Sequence, residues 1–340
     1  MRNEYKMEII DVSSITQSES FCNWLNIGLG DWVDFKLLGH GEYNVNYTFP
    51  CPKTGALLVL RVPMGSQMHL ANQVRYEYEA LELLKPSGRT PTPLFIDDTK
   101  TAMPYGFLVM NFLPGRPLRY ESDLPAAAAC LADIHNLDVP DGHALISPAN
   151  PLGAILDECH AMVTHFFDSE RAAPEIKKMI SSLLEYGNEI LQCDRSCNGR
   201  CLVNTELNSG NFLVNESHIT YLVDWEKPLF ASPGQDLGHF LAPTTTLWKT
   251  ETVLSMAEIM HFIELYCKTS VRYNDPSLLW ETTSPYLKMN CLRGITWCAM
   301  AWVEYQSPER ILKDDYTFEK IKQYITSEFL EKIRMEYFSE

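Results

Sequence analysis

The feature that most constrains this chain is a change of pattern at Pro114-Gly115-Arg116-Pro117. Ahead of it, short β-rich runs dominate: Trp32 to Leu38, Val45 to Phe49, Ala56 to Val62, Phe95-Ile96 and Tyr105 to Phe112. The Gly39-His40-Gly41 turn separates the first two. A capped helix is expected over 13–30, with Ser14 and Ser18 as N-caps and Phe21, Trp24, Leu25 and Leu29 at helical spacing. One internal helix follows, Val74 to Leu84, with Tyr78, Leu81 and Leu84 on its apolar face. Beyond the Pro/Gly break the periodicity is helical, over 124–136, 150–167, 174–193, 252–269, 286–306 and 317–338. A short β interruption at Leu202-Val203, Phe212 to Val214 and Thr220 to Val223 divides those helices. The pattern predicts an α+β, two-lobed chain. A small β-rich N-lobe (1–113) would bind a ligand, a larger, mainly helical C-lobe (114–340) would follow, and a cleft would lie between them.

Composition narrows the function. The chain has 340 residues, 28 Lys and Arg against 44 Asp and Glu, and a formal charge of −16. No nucleic-acid partner is expected, because each phosphate contact needs a cation. No membrane partner is expected either. The longest apolar runs, Gly106 to Leu113 and Ile295 to Val303, reach about half the ~20 residues of a span. The first residues lack the apolar stretch of a secretory signal, so the ten cysteines are expected to stay reduced and the chain to be cytoplasmic. Cys193, Cys197 and Cys201 are spaced C-x3-C-x3-C, but no fourth ligand lies nearby and they read as small apolar thiols. No internal repeat is present. The sequence also lacks a Walker A loop, a zincin motif and a G-x-S-x-G elbow, which removes P-loop, metalloprotease and α/β-hydrolase chemistry.

The central interruption carries the densest chemistry. Glu206 is followed five residues later by Asn211, and Asp224 ends the next strand. Phosphoryl transfer needs one carboxylate to orient or deprotonate a hydroxyl, and an Asn and an Asp to hold Mg²⁺ on the phosphates. Upstream, in order, lie Gly39 and Gly41 between two strands, where backbone N–H groups could approach phosphates. Arg61 follows in the run Leu-Val-Leu-Arg-Val, then Glu77 on the next helix, placed to pair with that cation. Each alone is an ordinary turn, edge or helix residue; the ordered set points to a kinase site.

The set resembles the aminoglycoside phosphotransferase and choline kinase-like family, small-molecule kinases of protein-kinase-like fold. The resemblance is carried by Gly-Glu-Tyr-Asn at 41–44, Leu-Arg-Val-Pro at 60–63 and Leu-Ala-x-Ile-His at 131–135. It continues through Asn211, Val-Asp-Trp-Glu at 223–226 and Pro-x-x-Asp-Leu at 233–237, covering roughly 30–245. It implies ATP and Mg²⁺ as cofactors. Arg61 would contact the α/β-phosphates in place of the usual Lys, oriented by Glu77. Asn211 and Asp224 would hold Mg²⁺, and Asp236 would brace the catalytic loop. Met110, Asn111, Phe112 and Leu113 would bind adenine through backbone groups.

Two departures stand out. The family's His-Gly-Asp is Asn204-Thr205-Glu206 here, so the base position carries a side chain longer by about one C–C bond, ~1.5 Å. Arg61 keeps the charge of Lys on a planar fork. The expected activity is phosphorylation of a hydroxyl on a small molecule, with a cationic acceptor favoured by the acidity. A nucleotide-binding pseudokinase and a nucleotidyl transferase on the same scaffold stay open as alternatives, because of Glu206. Trp297, Trp302, Glu304 and Tyr305 on one predicted helix, with Trp248, could cage a quaternary ammonium or pack a core. Asp314 and Asp315 read as a solvated loop, and His135 and His239 as core histidines.

Overall fold

The computed structural model describes residues 11–41, 43–193, 199–307 and 315–338, with Cys193 described in its backbone only. Two compact units emerge: residues 1–114 joined by Tyr221–Lys227, and 115–220 with 228–340. The short central segment thus groups with the first unit although it lies more than a hundred residues further along the chain.

The first unit opens with a short 3-10 helix (Val12–Gln17) capped by Asp11, then helix α1 (Glu19–Leu25) capped by Ser18. Asn26, in the left-handed region, ends it, so the helix expected over 13–30 is two short pieces. An antiparallel sheet follows: β1 (Lys36–His40), β2 (Asn44–Pro50) and β3 (Leu57–Pro63). Helix α2 (Gln73–Leu84) comes next, then β4 (Pro93–Asp97) and β5 (Phe107–Asn111). The spatial order is β1-β2-β3-β5-β4. Gly39 and His40 lie inside β1, so the turn is later than expected; Gly41 N–H donates to the Asn44 carbonyl at 2.9 Å and closes the hairpin.

Strand alternation separates the faces of this sheet. Leu58, Leu60 and Val62 join Val45, Tyr47 and Phe49 in a core completed by Ile15, Phe21 and Leu25. Phe21 meets Phe107 edge-on at 5.8 Å, and Trp24 stacks on Phe95 at 5.2 Å. Arg61, paired in register with Asn46 and Leu108, has the opposite parity in β3. Its guanidinium meets α2 through Glu77.

In the second unit the order is β6 (Arg116–Pro117), α3 (Tyr120–His135), α4 (Pro151–Asp168), α5 (Pro174–Cys193) and β7 (Cys201–Val203). Then come β8 (Phe212–Val214) and β9 (Thr220–Leu222), whose last residues pass into the first unit, and β10 (Leu229–Ala231). Six helices end the chain: α6 (Pro233–Leu241), α7 (Pro243–Lys249), α8 (Met256–Thr269), α9 (Pro276–Tyr305), α10 (Asp315–Tyr324) and α11 (Ser327–Ile333). A closing turn covers Arg334–Phe338. β7 pairs with β10 and β6 with β8, both antiparallel.

The coarse sequence reading omits β10, α6 and α7 and starts α9 ten residues late. Pro285 lies inside α9, whose true start is Asp275, accepting from the N–H groups of Ser277 and Leu278 ahead of Pro276. The glycines of α6 look like turn residues but serve close packing. A Cβ on Gly238 would come within 2.5 Å of the Leu287 backbone nitrogen, so α6 lies against α9 backbone to backbone. The expected helix over 317–338 is broken at residues 325–326, where Thr326 caps α11. Among the described residues no helix is long and apolar enough to cross a membrane, and the eight described cysteine thiols are free of disulfides.

Candidate functional site

In the first unit the chemistry gathers on Arg61. Its Nε donates to Glu77 Oε2 at 2.6 Å; Nη2 donates to Asp224 Oδ1 at 2.9 Å and to Glu226 Oε2 at 3.3 Å. Burial alone would lower the arginine's pKa, but Glu77, Asp224 and Glu226 together hold it above its ordinary value. The guanidinium fork is what lets one side chain serve three carboxylates; an ammonium is a single point charge. Gln73, one turn before Glu77, donates to Glu77 Oε1 at 2.9 Å and to the Glu226 carbonyl at 2.7 Å, and accepts from Ser66 at 2.6 Å. Asn44, at the foot of the glycine hairpin, donates to Glu226 Oε2 at 2.6 Å.

The structure therefore brings Arg61, Glu77 and Asp224 together and adds Glu226, Asn44 and Gln73. The sequence signal for Asn44 and Glu226 was their place in the quoted motifs; Gln73 had none. Asp224 has φ +63°, a conformation that favours glycine, and it turns the chain directly after β9. At Gly39 a Cβ would meet nothing within 4 Å, so the backbone there is open to an approaching group. Glu42 lies outside the described residues. Asn111 is held to the sheet: its Oδ1 accepts from Thr92 N–H at 2.6 Å. Met110, Phe112 and Leu113 are half-buried around it.

In the second unit Asp236, fully buried near the start of α6, organises a loop. Its two oxygens accept from the backbone N–H of Asn204 at 2.9 Å and Thr205 at 2.7 Å. His135 approaches the same carboxylate at 3.2 Å through Nε2, while its Nδ1 lies 2.9 Å from the Tyr266 hydroxyl. That brace holds Thr205 at φ +74°, a rare geometry for a β-branched residue. Glu206 follows immediately. Its N–H donates to Asn204 Oδ1 at 3.2 Å, and its carbonyl accepts from Asn211 Nδ2 at 2.9 Å. With its amide nitrogen committed, Asn211 has its carbonyl oxygen as the end suited to a hard cation. Asp224, in the first unit, offers carboxylate oxygen, which is also a donor type suited to Mg²⁺.

Two further residues touch this loop, and a third holds one of them. His239 Nδ1 donates to the Leu207 carbonyl at 2.8 Å. Burial, and the charge of Arg293 after it, push this histidine down to about 4, so it is neutral at ordinary pH. Arg293 of α9 donates from Nη2 to Glu206 Oε1 at 3.4 Å and from Nε to Glu158 Oε2 of α4 at 2.6 Å. Sequence reasoning found neither Arg293 nor Glu158.

The aromatic set of α9 does not converge. Trp297 meets Trp248 at 5.2 Å, Trp302 meets Phe166 at 5.6 Å, and Tyr305 stacks on Phe318 at 5.0 Å. These are separate packing contacts. Cys201 is buried on β7, while Cys197 and Asp314 lie outside the described residues. No cluster of three or more His, Cys, Asp or Glu suited to a metal ion occurs among the described residues.

A model of the phosphotransferase enzyme family matches residues 34–267. Among solved structures, an ethanolamine kinase of Plasmodium vivax aligns with TM-score 0.62 at 16% identity, over 89% of this chain and 85% of the other. A choline kinase of Cryptosporidium parvum aligns with TM-score 0.61 at 13% identity, over 89% and 90%. A spectinomycin phosphotransferase, solved with ADP and spectinomycin, aligns with TM-score 0.60 at 14% identity, over 89% and 92%. At these identities the structural likeness speaks for a shared kinase-like fold.

Proposed function

This chain belongs to the phosphotransferase enzyme family, and on that premise we propose that it transfers the γ-phosphoryl group of ATP to a hydroxyl of a small molecule. Glu206 takes the hydroxyl proton as the acceptor oxygen attacks the γ-phosphorus, the bond to the β-phosphate oxygen breaks, and ADP and the phosphorylated acceptor leave. The observation that carries this reading is the loop in which Glu206 and Asn211 are tied to each other and braced by Asp236. A base must be held in place to act, and this loop fixes its backbone on both sides.

Arg61, oriented by Glu77, contacts the α/β-phosphates; Gly39 gives them an open backbone beside the turn that Gly41 closes, and 110–113 receive the adenine. ATP is supported by the ADP in the spectinomycin enzyme. Asn211 and Asp224 are the residues that would hold Mg²⁺, which when bound neutralises charge on the phosphates. Residues 1–113 then serve as the nucleotide lobe and 114–340 as the catalytic and acceptor lobe. A cytoplasmic location, where thiols stay reduced, completes this reading.

Replacing Glu206 by Ala is expected to lower turnover by about 10²–10⁴-fold, with Glu206→Asp intermediate. A screen of ADP release over hydroxyl-bearing metabolites supplies the acceptor. Pyrophosphate among the products would mean nucleotidyl transfer, and Mg-ATP binding without turnover a pseudokinase. Saturating Mg-ATP should raise Tm by mass action, and Asp224→Ala should abolish that rise while Asp123→Ala keeps it.

A further inference from the structure

We infer that Arg293 is a positioning residue for Glu206, and that Glu158 anchors Arg293 in that task. The inference rests on the reading of Glu206 as the group that takes the acceptor's proton. Glutamate at this position brings an extra rotatable bond, and a loose carboxylate is a poor base because about 1 Å of misplacement costs on the order of 10²-fold in rate. The backbone of residue 206 is already pinned, at N–H by Asn204 and at the carbonyl by Asn211. Arg293 is a cation that meets its side chain.

The two contacts of Arg293 are unequal in a useful way. The short bond, Nε to Glu158 Oε2 at 2.6 Å, locks the guanidinium plane onto α4. The long one, Nη2 to Glu206 Oε1 at 3.4 Å, exceeds ordinary hydrogen-bond length, so it steers the carboxylate without clamping it. A tight bidentate pair would hold the base against the substrate; a loose one aims it. Burial works against the charge on Arg293, but Glu158 and Glu206 more than offset it and raise its pKa, so the steering charge is permanent. Neighbouring His239 adds no charge, being neutral at ordinary pH. Only a planar fork reaches both carboxylates from one point, so Lys at 293 should keep part of the effect and Gln little.

The test uses the full chain with Mg-ATP and water as the acceptor, following ADP release. Arg293→Gln should lower kcat by about tenfold or more while KM for ATP changes by less than about twofold, with Arg293→Lys between it and wild type. Glu158→Gln, which unhooks Arg293 without removing it, should move kcat the same way by less. The decisive arm repeats Arg293→Gln in a Glu206→Asp background, whose shorter carboxylate falls about 1.5 Å short of the arginine. There the loss should shrink to under about twofold. Equal losses in both backgrounds would falsify the inference, since Arg293 would then serve only to pack α4 against α9. Unchanged kcat in Arg293→Gln overturns it as well. Should Glu206→Asp release no ADP, the ranking Arg, Lys, Gln in kcat at unchanged Tm decides for the inference, and a flat ranking against it. If wild type releases no ADP and Mg-ATP leaves Tm unmoved, the phosphotransfer reading itself has failed and the inference goes with it.

Discussion

An arginine flanked by carboxylates occurs in each unit, and the two centres are built to different purposes. Arg61 is 6% exposed, and its partner Glu77 is 2% exposed. Arg293 is 19% exposed, with Glu158 at 45% and Glu206 at 29%. The first keeps its cation and Glu77 out of water, so that loss of Arg61 strands a buried carboxylate, while Asp224 at its edge is 38% exposed. The second is half-open, and its long contact falls on the residue proposed to do chemistry. Buried ion pairs break expensively, whereas wet ones exchange cheaply with solvent. The difference suggests that the first centre fixes geometry and the second permits small adjustment.

The largest effect should come from removing the first cation. Arg61→Met leaves Glu77 buried without its partner, and breaking such a pair typically costs about 3–5 kcal/mol. Denaturant midpoints should fall accordingly for the first unit. A midpoint equal to wild type would mean that Glu77 finds water or a proton easily, and the contrast between the centres would collapse.

The two centres also differ in how far the sequence announces them. Arg61 and Glu77 lie sixteen residues apart on adjacent elements, and strand parity with helical spacing suffices to pair them. Glu206, Asn211 and Asp224 stand in a short segment with recognisable spacing. Arg293 lies eighty-seven residues from Glu206, in the middle of a long helix whose other residues look equally able to face solvent or core. Nothing local marks it. α6 was missed for a related reason: Gly234 and Gly238 read as turn residues, while their cause is the close approach of α9, a tertiary fact. The α9 start was missed because Pro285 looks like a boundary, whereas the Asp275-Pro276 cap ten residues earlier is the real one. The tryptophans failed differently. Trp297 and Trp302 do share a helix, but the five steps between them turn roughly 140° about its axis and send the rings to different neighbours.

A second prediction concerns the neutral histidine beside Arg293. His239 in the folded chain sits at about 4, against 6.5 for the ordinary side chain. Between those values the unfolded chain binds a proton that the folded chain refuses, so stability falls as pH falls. From pH 7.5 to pH 5 the loss from this group should be about 2 kcal/mol, at roughly 1.4 kcal/mol per pH unit below 6.5. His239→Asn, which keeps a donor near the Leu207 carbonyl, should show a flatter stability curve by that amount. Identical slopes for wild type and variant would show that the histidine accepts its proton despite Arg293, and that the second centre is wetter than its burial suggests.

The smallest effect sharpens the comparison most, because one chemical change can be made in both centres. Glu77→Gln removes a charge from a site that water does not reach, leaving Arg61 with less compensation for its burial. Glu158→Gln removes a charge that is nearly half exposed, and solvent replaces it. The stability cost of the second should lie within about 1 kcal/mol, the usual range for exposed pairs, and should shrink further in high salt. Glu77→Gln should cost several times more and respond little to salt, since its partners are screened by protein and not by ions. Equal costs and equal salt slopes would place both arginines in the same dielectric. Glu158 would then be a structural clamp, and the loose contact to Glu206 would lose its meaning as a steering device.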